Sequence, residues 1–169
     1  FLTNVLQMRL PVTVDKVEVP AVKYYHKDST YCYSFITHPG ELLDRCTVIH
    51  RRSEKKMDKS YQRFIDTENI NSVTKFVKNN PQFANNIILC SESINTKNVK
   101  FRKAPSQVTP KGKHKTSHPP ELGILELPNH FGDMSVIDGQ HRLFGYSDSK
   151  KEYDHFVNCL LFDSSFERK

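Results

Sequence analysis

Ser135 to Tyr146 reads SVIDGQHRLFGY, and the hydrophobic period changes inside it. A short apolar run breaks at Asp138-Gly139, and an amphipathic segment carrying Leu143, Phe144 and Tyr146 starts at once. That pattern predicts a strand, a tight turn and a helix. Gly139 opens backbone conformations closed to other residues. A helix starting beside it presents unpaired N–H groups and a positive dipole end, so a phosphate can approach closely. Asp138, Gln140, His141 and Arg142 set an acid, an amide, an imidazole and a guanidinium around that point. Strand-turn-helix junctions are common in α/β proteins, but this one is unusually crowded with polar groups.

Working outward, Gln140 to Ser147 is expected as the helix, with Leu143, Phe144 and Tyr146 in the core, and Phe156 to Phe162 as a closing strand. Leu122 to Leu127 and Met134 to Ile137 read as a strand pair turned at Pro128 to Asp133. Upstream, Asn85 to Cys90 (NNIILC) reads as a buried strand, and Val99 with Phe101 as a short one. Thr67 to Asn79 places Ile70, Val73, Phe76 and Val77 at helical spacing, with Asn79-Asn80-Pro81 as its stop. Pro39 to Cys46 is expected as a helix with Leu42 and Leu43 on one face. Tyr31 to Ile36 is an aromatic-rich strand, and Pro11 to Val22 alternates as one or two strands near Pro20. Strands and helices interleave without an internal repeat, which predicts a mixed α/β (α+β) sheet with helices packed on it.

The 169 residues suit one domain, 1–169, able to bury a core unaided. Phe1 at the start and FERK at the end read as the boundaries of a piece of a longer protein. A net charge of +6 favours acidic partners such as nucleotides or nucleic acid. Cys32, Cys46, Cys90 and Cys159 form no C-x-x-C pair, and three of them sit in apolar runs, so buried free thiols in a reducing, cytoplasmic setting are expected. No apolar run approaches the roughly 18 residues of a membrane span.

Residues 103–121 (KAPSQVTPKGKHKTSHPPE) form a basic, proline-rich loop, open to reading as an insertion, a lid or a nucleic-acid arm. His114 and His118 are four apart, but Pro119 and Pro120 oppose the helix that would align them on zinc. Lys111, Lys113 and Lys115 in this loop, with Arg51 and Arg52 in the charged run His50 to Lys59, are candidate DNA contacts.

The string DGQHR at Asp138 to Arg142, preceded by VI and followed by LFGY, resembles the hallmark of the DGQHR-domain family, typified by DndB-type proteins of bacterial DNA phosphorothioation and defence systems. Tyr61-Gln62-Arg63, then a helix, then NNIIL at Asn85 to Leu89, is similar to the upstream half of that family. The likeness spans Tyr61 to Phe162. Through it the chain resembles the ParB/sulfiredoxin-like fold and the DGQQR proteins of modification-dependent restriction. The resemblance implies that Arg63 matches an early phosphate-binding arginine, and that Gly139, His141 and Arg142 match a phosphate-holding turn. Gln140 stands where sulfiredoxin has its reactive cysteine, so the resemblance excludes sulfinic-acid repair.

The residues themselves allow this chemistry. Arg142 offers a planar fork for bidentate phosphate contact, with Arg63 approaching from the other half of the fold. Gln140 and Gln62 are further candidate nucleotide contacts. His141 can donate to a phosphate or take a proton from water. Asp138 can hold Mg²⁺ through a water or orient a nucleophile, or simply form the turn and cap the helix. Bland alternatives stand beside the others too: a surface amide for Gln140, a hydrogen bond to a neighbouring strand for His141, packing for Tyr61 and Gln62. The leading expectation is a nucleotide-binding domain using Mg²⁺ and ATP or another NTP, with slow hydrolysis possible. Its alternative is a DNA-binding transcriptional regulator or specificity module without turnover. A third reading keeps the motif only as a structural turn in an interaction domain.

Overall fold

In a computed structural model, residues 15–27, 30–48, 66–79, 83–91, 99–107, 117–150 and 152–163 are described. Their strands are β1 (Val17–Lys27), β2 (Thr30–Thr37), β3 (Cys46–Val48), β4 (Ile87–Ser91), β5 (Lys100–Lys103), β6 (Glu121–Leu127), β7 (Met134–Asp138) and β8 (Val157–Asp163). The helices are α1 (Pro39–Leu43), α2 (Thr67–Asn79) and α3 (Gln140–Ser149). All eight strands form one sheet in the order β3-β7-β4-β8-β2-β1-β6-β5. Pairings β3–β7 and β4–β8 are parallel and the rest antiparallel, so the sheet is mixed. The expected α/β class is observed.

Alternation along the strands sends one set of side chains toward the helices. Ala21, Phe35, Leu89, Leu125, Val136 and Leu161 join Leu42 of α1, Val77 of α2 and Leu143 and Tyr146 of α3 in one buried cluster. Phe76 was expected on the same helical stripe as Val77, but is 40% exposed and stacks on Phe83 at 4.5 Å between ring centroids. Four residues at helical spacing cover a wider arc than this helix buries.

β6 and β7 are not a pair: β6 lies between β1 and β5, and β7 between β3 and β4. They stand five places apart, roughly 24 Å in a flat sheet, about the limit of a fully extended link from 127 to 134. Yet Asp133 N–H donates to His130 O within that link, folding it back, so the sheet must curl to bring β7 near β6. The helix over Pro39 to Cys46 is shorter than expected, because Asp44 and Arg45 turn and Cys46 opens β3. Arg45 explains the turn. Its fully buried guanidinium bonds the Glu41 carboxylate at 2.6 Å and carbonyl at 2.9 Å and also the Asp15 carbonyl. Its own carbonyl accepts from Gly132 N–H. One side chain thus joins the entry to β1, the α1–β3 corner and the link that delivers β7.

Pro20 lies inside β1, which extends to Lys27 rather than stopping at Val22. Pro20 is paired on one side only, opposite Ile124 of β6, since the pairing with β2 starts at Ala21.

Candidate functional site

β7 ends at Asp138, and α3 starts at Gln140, with Gly139 between them at φ 94°, ψ 12°. This left-handed conformation is open to glycine and strained for other residues. Space is tight as well. A Cβ on Gly139 would stand 3.1 Å from Arg142 Nη2 and 3.3 Å from Ile87 Cγ1. The glycine therefore serves two ends, reversing the chain and letting the guanidinium lie back over the turn.

Gly139 is the N-cap of α3, and no side chain caps that helix start. Asp138 does not take the capping role open to it from sequence. Its carboxylate Oδ2 instead accepts from Arg142 Nη2 at 3.2 Å, with the Asp138 side chain 68% exposed. Arg142 is the better-held partner, since Nη1 also donates to the Asn85 carbonyl at 2.8 Å. That bond joins the turn to the residues leading into β4. An exposed carboxylate–guanidinium pair is weak, so the Nη2 side is exchangeable, whereas the Nη1 side is anchored.

His141 points to another element. Its Nε2 accepts the backbone N–H of Asp66 at 3.1 Å, which requires the neutral ring with its proton on Nδ1. Asp66 heads α2: its carbonyl accepts from Ile70 N–H, and its carboxylate accepts from Glu68 N–H and Asn69 Nδ2. The starts of α2 and α3 are thus tied together. Further along, Gly145 packs against Val73, and Thr74 Oγ1 lies 2.9 Å from Ile70 O and 3.1 Å from Asp148 Oδ2.

Gln140 is buried, not a surface amide, and Leu143, Phe144 and Tyr146 are core as expected. Burial raises the Tyr146 phenol above its ordinary range. Five residues from sequence, Asp138 to Arg142, are therefore assembled at one junction with Asn85 of the NNIIL block, which contributes its carbonyl, and with Asp66, which sequence did not single out. Asp66 had a readable signal, an acid directly before Thr67-Glu68-Asn69 in the cap position of a helix. Gln62, Arg63, Arg51, Arg52, Lys111, Lys113 and Lys115 lie outside the described residues, as do Tyr61 and His114.

Among the described residues no group of three or more His, Cys, Asp or Glu stands together as a metal centre. Asp138 is the one carboxylate of the turn itself. A Mg²⁺ ion there would take its remaining oxygens from phosphates and water, as this ion commonly does. The cysteines are free thiols, and burial pushes Cys46 up to about 12 and raises Cys32 and Cys159 as well, which suits packing rather than nucleophilic work. No helix among the described residues is long and apolar enough to cross a membrane.

Comparisons with family models, with curated proteins and with solved structures find no match to this chain.

Proposed function

We propose that this chain is a cytoplasmic nucleotide-binding domain of a DndB-like protein, with a ParB/sulfiredoxin-like sheet and the DGQHR turn at the phosphates. The observation that carries the reading is the start of α3: a helix with a left-handed glycine at its N-cap, no side-chain cap, and a guanidinium held beside it. Fixed N–H donors and a positive charge at one point suit a phosphate.

Arg142 supplies the selectivity for an anion. Nη1 stays on the Asn85 carbonyl while Nη2 exchanges Asp138 for a phosphate oxygen. The displaced Asp138 carboxylate then faces the same phosphates and can hold Mg²⁺ through water. His141, with its Nε2 already accepting from Asp66, has Nδ1–H to offer, which makes it a donor to phosphate in this tautomer rather than a base. Binding follows from these roles, whereas hydrolysis would also need Asp138 to orient the attacking water.

Calorimetry with ATP, GTP and CTP, with and without Mg²⁺, tests the proposal on wild type and Arg142→Ala. Magnesium-dependent binding lost in the variant is expected. Absence of heat and of any thermal shift with a folded wild-type sample would remove the reading.

A further inference from the structure

At the other end of the strands from the DGQHR turn, β1 and β2 carry a second cluster on the face that also holds Tyr33. Tyr25 and Tyr31 are directly paired across the two strands and meet edge to face at 6.1 Å. His118 lies against Tyr25 at 4.6 Å with the rings 31° apart, and the Lys23 ammonium stands 3.9 Å above the Tyr31 ring. Each tyrosine is held by a neighbour and still exposed, 37% for Tyr25 and 41% for Tyr31.

Two tyrosines fixed at a sheet surface with a cation against one of them make a π platform with positive charge beside it. Of the two negative groups nearby, one is answered by an ion pair. Glu121, opposite Lys23 in the β1–β6 register, is paired with Lys103 at 2.7 Å. Asp163, opposite Tyr31 in the β2–β8 register, is half-buried, and that burial raises its carboxyl above the ordinary range. The ends of β5 and β6 that flank the basic proline-rich segment, Lys103 and Glu121, meet at this same edge, tied by Gln107 bonds to Leu122 N–H and O.

We infer that Tyr25 and Tyr31, with Lys23 and His118, form a stacking platform for the unpaired bases of a single-stranded nucleic acid. Every base has a π face, so such a surface accepts strands with little sequence preference, and the Lys23 ammonium serves the phosphates. This site is separate from the DGQHR turn and stands or falls without it.

Fluorescence anisotropy with labelled twelve-nucleotide oligo-dT, oligo-U and a duplex of the same length is the direct test. Binding of a single strand in preference to duplex is expected, weakened by salt. Tyr31→Ala and Tyr25→Ala should each weaken it by roughly five- to a hundredfold, and Tyr31→Phe should retain it. The oligo-dT and oligo-U arms tell DNA from RNA. Because the chain has tyrosines and no tryptophan, quenching of tyrosine emission by the unlabelled oligonucleotide reports stacking on the wild type even where an alanine variant fails to fold. No binding at low salt, equal affinity for duplex, or binding without quenching that the tyrosine variants leave unchanged would each overturn the assignment.

Discussion

His141 Nε2 accepts the backbone N–H of Asp66 at 3.1 Å, so a residue in the first turn of α3 fixes the cap of α2, 75 positions earlier in the chain. A motif residue thus has a structural duty before any ligand is considered. Replacing it with alanine leaves that N–H to water, and His141→Ala is expected to cost about 1 kcal/mol of stability. Urea denaturation measures this. An unchanged midpoint would show that the bond contributes nothing to the α2–α3 join.

Gly139→Ala carries a penalty of another origin. The backbone at φ 94° resists any Cβ, and the added atom would press on the Arg142 guanidinium. Strain of this kind costs about 1–3 kcal/mol, and the guanidinium must also shift. Stability and nucleotide affinity are therefore expected to fall together. A variant that keeps wild-type affinity would mean that Arg142 tolerates displacement and is not the phosphate contact.

Much of this junction was legible because its signals are local. A period change from two to helical marks β7 and α3, a glycine marks the reversal, and Thr67 to Asn79 has both a polar entry and a proline beyond its end. What pairs with what was not legible, since register depends on partners far along the chain. β6 and β7 look like a hairpin because only six residues part them, yet four strands from other regions lie between them in the sheet. Arg45 reads as one more residue of an amphipathic helix and proves to be wholly buried, because its partners Asp15 and Gly132 lie 30 and 87 positions away in opposite directions. The same limit hid the role of Asn85, whose contribution to the site is a carbonyl that no side-chain pattern reports.

Gly145 sets the approach of the two longer helices. A Cβ there would meet Val73 Cγ1 at far below contact distance, with the Thr74 backbone N at 3.3 Å behind it. Overpacking a helix contact costs about 1–3 kcal/mol, and Gly145→Ala is expected to fall in that range although alanine is the better helix former. A compensating Val73→Ala should recover part of the loss in a double-mutant cycle. Additive losses would place the strain elsewhere.

Lys150 ends α3 in the left-handed conformation at φ 57°, where its N–H reaches the Tyr146 and Ser147 carbonyls. That position favours glycine, so Lys150→Gly is expected to stabilise the chain by about 1 kcal/mol. Thermal melting reads it, and a lower midpoint would show that the lysine side chain contributes more than its backbone strain costs.

The ion pairs along β1, β5 and β6 give a pH dependence of defined sign. Lys16 bonds Glu18 at 3.0 Å and Glu126 at 2.9 Å, Lys100 bonds Glu126 at 3.1 Å, and Lys103 bonds Glu121 at 2.7 Å. These ammonium partners hold all three carboxyls below the ordinary 4.5. A depressed folded-state value means that the unfolded chain takes up protons first. The stabilisation is therefore complete above 4.5 and is lost as pH falls through the folded values. Asp163 has the opposite sign, because burial raises it above 3.8, and stability from that group falls as pH rises through the window. Subtraction separates the two. Denaturation midpoints of wild type and Glu126→Gln, followed from neutral pH downward at low salt, should differ most at the neutral end and converge in acid. The groups are exposed, so added salt should shrink the difference. Curves that stay parallel throughout would show that Glu126 contributes nothing to the acid response.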